Sequence, residues 1–235
     1  MPEAVGAQVA IVDYGMGNLF SVEQACDQAG LGVVISSSAR EILAADAVIL
    51  PGVGAFGDAM ANLNRLDLVS VLRDIAASSK PLMGICLGMQ LLLSESHEFG
   101  RSAGLGIIEG EVSHLETSLE GPVVAKVPQV GWNQIHAQEF SLEVGSLDSS
   151  DTPWGSPLLK GVPNSEYMYF VHSLYAKPED PSVVLSTTQY GNTDFCSSLR
   201  FGSVFACQFH PERSGLAGLR IYRNLAQMIT STETE

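Results

Sequence analysis

The residues Gly84-Ile85-Cys86-Leu87-Gly88-Met89-Gln90 end an apolar run on a cysteine and restart, through a glycine, as a helix-compatible segment. A strand that turns sharply into a helix pushes its corner residue out of the sheet, the geometry that exposes the nucleophile of hydrolases. A thiol at such a corner meets backbone N–H groups and a helix dipole that favour an anion. Thiolate is the reactive form of cysteine, so acyl transfer through Cys86 is the chemistry this segment could do. A cysteine nucleophile needs a base. In Cys207-Gln208-Phe209-His210-Pro211-Glu212, a β-type run over Val204–Phe209 delivers His210 at its end, with Glu212 two residues on and Pro211 restricting the chain between. A carboxylate beside an imidazole can fix its tautomer and stabilise the imidazolium. Cys86, His210 and Glu212 thus supply nucleophile, base and orienter. Pro51-Gly52-Val53-Gly54 follows another apolar run, and its glycines let the backbone approach a ligand closely. An N–H from Gly52 or Val53 could pair with that of Leu87 to hold an oxyanion, worth roughly 3 kcal/mol per donor.

Each patch by itself also has a plain structural reading: a thiol at a strand end, a packed histidine beside a solvated acid, an ordinary β-turn. His172, in Phe170-Val171-His172-Ser173, competes with His210 as the base but has no carboxylate near it in sequence. His97, His114 and His136 stand in polar or loop contexts and read as surface residues. Cys26, Cys196 and Cys207 read as core packing. Gly15-Met16-Gly17 begins a dinucleotide-type fingerprint, but Phe20 occupies the place of its third glycine. A tight strand-to-helix turn is the reading we adopt there.

The elements that must position these groups alternate. Gln8–Asp13, Val33–Ile35, Ala47–Leu50 and Pro81–Ile85 read as strands, and residues 18–29, 57–78, 87–94 and 216–230 as helices. Continuous apolar strands alternating with helices predict a parallel sheet covered on both faces. Residues 105–136 and 167–210 give short β-type runs punctuated by Gly, Pro and Asn, which suit antiparallel or mixed strands added to that sheet. The polar, acidic stretch 137–160 reads as a surface loop. The expected fold class is therefore α/β, a flavodoxin-like, mostly parallel sheet with helices on both faces plus added antiparallel strands, built as a single domain over residues 1–235.

Composition bounds the partners. With 235 residues, 46% of them apolar, the chain can bury a sizeable core. Charged residues make up 16%, against a usual share of about 25%. The net charge of −14 argues against nucleic acid as the main ligand and permits a basic protein partner. No run is long enough to span a bilayer, and the N-terminus lacks a basic, apolar and cleavable leader pattern. The four cysteines show no CxxC and no zinc-site spacing with histidine, so no metal and no cofactor are expected. Free thiols fit a reducing, cytoplasmic setting.

Taken together these motifs resemble the class I (triad) glutamine amidotransferases. The resemblance rests on the Gly-Ile-Cys-Leu-Gly-Met-Gln corner, the Pro-Gly-Val-Gly loop and Phe-His-Pro-Glu near the C-terminus. Within that family the chain is similar to the glutaminase subunits of imidazole glycerol phosphate synthase, through Asp13-Tyr14-Gly15-Met16-Gly17-Asn18, Met89, the segment Lys126-Val127-Pro128-Gln129-Val130-Gly131-Trp132-Asn133, and Tyr169-Phe170-Val171-His172-Ser173. The likeness spans about residues 8–230, with 137–155 a family-variable insertion. It implies that Cys86 attacks the side-chain amide of glutamine, that His210 moves the proton, and that Glu212 orients His210. It implies oxyanion donors at Gly52 or Val53 and at Leu87, and glutamine-binding positions at Gln90, Glu98 and Ser173. It also implies a heterodimer with a cyclase subunit, a (β/α)8 barrel, which receives the ammonia along a dry route and makes imidazole glycerol phosphate and an aminoimidazole carboxamide ribonucleotide in histidine biosynthesis. Pro128, Trp132, Tyr169 and Arg213 match interface positions. Three residues depart from the pattern: Gln129 where His is more usual, Leu174 in place of an aromatic, and Arg213 where Lys is common. Other readings are an amidotransferase subunit of another synthase, such as that of anthranilate, or a cysteine hydrolase. Met89 and Gly131-Trp132-Asn133 argue against the anthranilate type.

Overall fold

The computed structural model describes residues 7–116, 125–138 and 154–232. The first half runs β1 (Gln8–Val12), α1 (Leu19–Gln28), β2 (Gly32–Ser36), α2 (Ala39–Ala44), β3 (Ala47–Leu50), α3 (Phe56–Arg65), α4 (Leu68–Ala77), β4 (Leu82–Ile85) and α5 (Leu87–Leu91). The second adds β5 (Leu93–Ser96), β6 (Ser102–Ala103), β7 (Ile108–His114), β8 (Gln129–Ala137), β9 (Glu166–His172), β10 (Leu174–Pro178), β11 (Val184–Tyr190), β12 (Thr193–Phe201), β13 (Val204–Cys207) and α6 (Gly215–Thr232).

Among the described residues, nine strands form one sheet in the order β2-β1-β3-β4-β13-β12-β11-β8-β9. The first five are mutually parallel and the remaining four antiparallel, which is the expected mixed α/β sheet. The period-2 alternation of a strand buried on both faces is visible in β1. Ala10 and Val12 enter a core with α2, α3 and α4, while Val9 and Ile11 enter the opposite core with α1 and α6.

Three expectations about elements are corrected. The helix expected over 57–78 is two helices, because Asp67 takes a left-handed conformation (φ 56°) between them. The break rephases the buried stripe to Leu68, Val71, Leu72 and Ile75, leaving Leu66 and Val69 only partly buried. The helix expected over 87–94 stops at Leu91, and Leu93–Ser96 is a strand instead. Its leucines suit either element, and parallel pairing of Leu93 with Ile108 decides the outcome. Not all later strands join the main sheet: β10, β7, β5 and β6 form a second, four-stranded one. The expected loop over 137–160 ends in a short 3-10 turn at Pro157–Leu159. Residues 139–153, like 117–124, lie outside the described residues. Among the described residues no helix is long and apolar enough to cross a membrane.

Glycine sets the fit of α5 against the sheet. A Cβ on Gly88 would lie 1.8 Å from the Leu50 carbonyl oxygen, a backbone atom that cannot step aside. Gly88→Ala is therefore expected to cost about 1–3 kcal/mol, lowering the thermal midpoint by roughly 2–12 °C. Gly57→Ala in α3, where the new methyl would be 3.6 Å from the Ser102 hydroxyl, should leave it unchanged or raise it. Equal midpoints for the wild type and Gly88→Ala would contradict this packing.

Candidate active site

The C-terminal ends of β1, β3, β4 and β13 meet at one edge of the sheet, where open α/β folds gather ligands. Parallel pairing sets Ile85 beside Cys207, so the residues that follow, Cys86 and Gln208, emerge side by side. Cys86 donates its backbone N–H to the Cys207 carbonyl (2.8 Å) and then turns the chain at φ 53°, ψ −108° into α5. The backbone corner expected from sequence is formed, and its thiol is 5% exposed. The helix beyond it is short, so backbone strain and sheet register, not a long dipole, define this corner.

β13 leads through Gln208 and Phe209 to His210 and a 3-10 turn at Pro211–Arg213. His210 Nδ1 lies 2.7 Å from Glu212 Oε1, with both side chains buried. The histidine backbone is tethered as well. Its N–H donates to the Tyr169 carbonyl (2.9 Å), and the Ser214 hydroxyl donates to its carbonyl (2.7 Å) while accepting from the Tyr169 N–H (3.0 Å). Burial alone would lower the His210 pKa, but the neighbouring Cys86 sulfur and the Glu212 carboxylate outweigh it and hold the pKa up at about 10. The sulfur is near enough to act on the ring, yet the pair is not a formed hydrogen bond, since His210 Nε2 is buried without a partner. Such contacts commonly tighten only when substrate binds. The arrangement can take a proton from a thiol and hand it to a leaving amine.

His172, the competing base, is engaged elsewhere. Its Nδ1 is 2.8 Å from the Leu174 carbonyl, which can only accept, so that nitrogen carries the proton. Nε2 sits 3.1 Å from the Gln129 side-chain amide. Burial holds the His172 pKa down at about 4. Burial likewise raises the thiols of Cys26, Cys196 and Cys207, disfavouring their thiolates. Among the described residues no cluster of three or more His, Cys, Asp or Glu side chains could hold a metal ion.

The oxyanion pairing expected from sequence is not assembled in this conformation. The Leu87 N–H points to the Gly52 carbonyl (3.4 Å), so the loop offers an acceptor where an oxyanion needs donors. An N–H without an anion pairs with the nearest carbonyl. The loop is closely held: the Tyr14 hydroxyl donates to the Pro51 carbonyl (2.9 Å), and a Cβ on Gly52 would lie 2.2 Å from that hydroxyl oxygen. Val53 is 43% exposed at the loop's outer side. Glu98 accepts from the Phe56 N–H (2.7 Å), so its carboxylate caps α3 where the loop ends. Gln90 is buried, its amide nitrogen bonded to the Leu174 carbonyl (2.9 Å) and to Gln208 Oε1 (3.0 Å). Ser173 joins β9 to β10, and its carbonyl accepts from the Leu115 N–H (2.8 Å).

Two site residues escaped the sequence reading. Gln208 is fully buried, with its amide nitrogen 3.6 Å from the Cys86 sulfur. Its signal was available, since it sits two residues before His210 in a β-type run and so shares that residue's face. Tyr14, buried under the loop, carried no such signal.

Residues 10–226 match the family model for glutamine amidotransferase class-I. The chain belongs to this family. It is 44% identical over 221 residues to imidazole glycerol phosphate synthase subunit HisH of Moorella thermoacetica, covering 94% of this chain and 95% of that one. It is 45% identical over 218 residues to the HisH subunit of Aquifex aeolicus, covering 92% and 95%. It shares its fold with PurLQS from Thermotoga maritima (TM-score 0.63, 18% identity, 97% and 100% covered). It also shares it with a structure described as glutamine amidotransferase (TM-score 0.64, 16% identity, 94% and 98% covered).

In this amidotransferase three of the four residues matched to an interface, Trp132, Tyr169 and Arg213, meet beside the turn that carries His210. Trp132 stands across from Tyr169 in the β8–β9 register, and their rings meet edge to face with centroids 5.9 Å apart. The Arg213 guanidinium lies 5.2 Å from the Tyr169 ring centroid. Trp132 is 55% exposed, Arg213 and Pro128 are exposed, and Pro128 immediately precedes β8.

The raised His210 pKa has a measurable sign. Its imidazolium contributes stability that is fully present below the ordinary value of 6.5 and is lost as the pH rises through about 10. In NMR titrations the His210 ring signals should hold through pH 8 and move near pH 10. Glu212→Gln, which removes one of the two stabilising partners, should bring that midpoint down. A wild-type midpoint near 6.5 would refute the pairing.

Proposed function

We propose that this chain is the glutaminase subunit of an imidazole glycerol phosphate synthase in the cytoplasm, acting in histidine biosynthesis as one amidotransferase domain over residues 1–235. The observation that carries the reading is the Cys86 corner beside the buried His210–Glu212 pair, in a chain 44% identical to a HisH subunit across nearly its whole length.

The chemistry follows from the geometry. The Cys86 sulfur attacks the side-chain carbonyl carbon of glutamine, and the carbonyl oxygen takes the electron pair. The proton held on His210 Nε2 passes to the amide nitrogen as the C–N bond breaks, releasing ammonia and leaving a glutamyl thioester. Water, deprotonated by His210, then cleaves the thioester to glutamate and restores the thiol. Glu212 keeps the imidazole oriented and its cation stabilised through both halves. Gln90, Glu98 and Ser173 are the proposed glutamine-binding positions, with Gln90 entering through its oxygen because its amide nitrogen is engaged within the protein. An anion-holding site needs the Gly52 carbonyl released from the Leu87 N–H, so that Leu87 and Gly52 or Val53 can donate.

The proposed partner is a cyclase subunit of (β/α)8 form, docking as a heterodimer on the face around Pro128, Trp132, Tyr169 and Arg213. Ammonia in neutral water is almost all ammonium, which is not a nucleophile, so a dry route between the subunits keeps it reactive. A resting loop that occupies Leu87 fits a glutaminase that turns over efficiently only when the acceptor subunit is bound.

The test is a separation of two activities in the assembled synthase. Cys86→Ala is expected to abolish glutamine-dependent product formation and to leave ammonia-dependent formation intact. Equal loss of both, or peptidase activity without stimulation by the barrel, would overturn the assignment.

A further inference from the structure

We propose that Gln208 is a further catalytic residue, whose side-chain amide donates to the Cys86 sulfur, and that Gln90 is the positioning residue that aims it. The inference rests on Cys86 being the nucleophile.

The orientation of both amides follows from one unambiguous acceptor. A backbone carbonyl cannot donate. The Gln90 side-chain atom 2.9 Å from the Leu174 carbonyl must therefore be its nitrogen. That same nitrogen is 3.0 Å from the end of the Gln208 side chain, which must present its oxygen there. The Gln208 nitrogen is then left on the opposite side, 3.6 Å from Cys86 Sγ. Flipping Gln208 would set two donors against each other beside Gln90. A carbonyl on β10 thus fixes, through two side chains, a donor on the reacting atom. Gln208 is fully buried and Gln90 5% exposed, so water cannot substitute for either contact at low cost. The sulfur's other formed contact is with the Val171 carbonyl, 3.8 Å away, which can serve only the protonated thiol. Of these two contacts Gln208 is the one that serves the sulfur as it takes up negative charge, beside the nearby His210 ring. The contact from Leu174 is made by its backbone, so the departure from an aromatic at that position leaves the chain of amides intact.

The test uses iodoacetamide, which needs no glutamine subsite, and peptide mapping of the labelled cysteine. Gln208→Met is expected to slow labelling of Cys86 by about tenfold, as loss of a hydrogen bond to a charged group implies. It should lower kcat for glutamine hydrolysis in the assembled synthase with KM changed less than about twofold. Gln90→Met should slow labelling similarly, and the double variant no further than Gln208→Met alone, because the two act as one device. Thermal midpoints report folding. Gln208→Glu, which keeps an acceptor for Gln90 and loses the donor, provides the same reading if the methionine variant does not fold. Wild-type labelling rates in either Gln208 variant, or additive effects in the double variant, would overturn the inference. Absence of Cys86 labelling in the wild type would instead overturn the nucleophile assignment beneath it.

Discussion

The site depends on one strained residue. Cys86 holds φ at 53°, a conformation that costs a non-glycine residue on the order of 1–3 kcal/mol. The surrounding structure leaves it no alternative. Its N–H is bound to Cys207 across the β4–β13 pair, and glycines at 84 and 88 let the turn close. A Cβ on Gly84 would meet Ala206 Cβ and the Gly88 backbone at 3.1 Å. The same register that fixes the corner sets Gln208 beside it and delivers His210 two residues further on. The proposed nucleophile, the amide that faces its sulfur and the proposed base are thus placed by a single strand pairing, more firmly than loops could place them.

The rest of the site is less settled by the sheet. The Leu87 N–H is satisfied by Gly52, a bond between neutral groups worth about 1 kcal/mol net. An oxyanion held by two donors gains several times that amount. Giving up that one bond therefore costs less than an anion would return, with the Tyr14 hydroxyl on the Pro51 carbonyl also holding the loop. The exposed Trp132 packs on the part-buried Tyr169, whose carbonyl holds the His210 N–H and whose own N–H is bound to Ser214. Two hydrogen bonds thus connect that surface to the turn that carries His210.

Much of this was legible in the sequence, and the reasons are particular. Cys86, His210 and Glu212 announce themselves because residue type, strand-end position and short spacing coincide. The parallel half of the sheet reads directly, since strands buried on both faces are continuously apolar. What escaped the reading carried no local mark, and most of it depended on contacts distant in sequence. Leu93–Ser96 becomes a strand only because Ile108 pairs with it. Asp67 splits a helix without a glycine or proline to mark the break. The direction of the Gly52 carbonyl and the amide chain from Leu174 to Cys86 join residues from separate strands and loops; strand alternation marks the face of Gln208, but no local pattern encodes its partners.

In the proposed reaction the sulfur on this corner becomes acylated by glutamine. The direct measurement is acid quenching of the chain during glutamine turnover, followed by proteolysis and mass spectrometry of the cysteine peptides. An alkali-labile glutamyl group is expected on the peptide containing Cys86 and on no peptide containing Cys26, Cys196 or Cys207. Turnover with no adduct on Cys86, or an adduct on another cysteine, would contradict it.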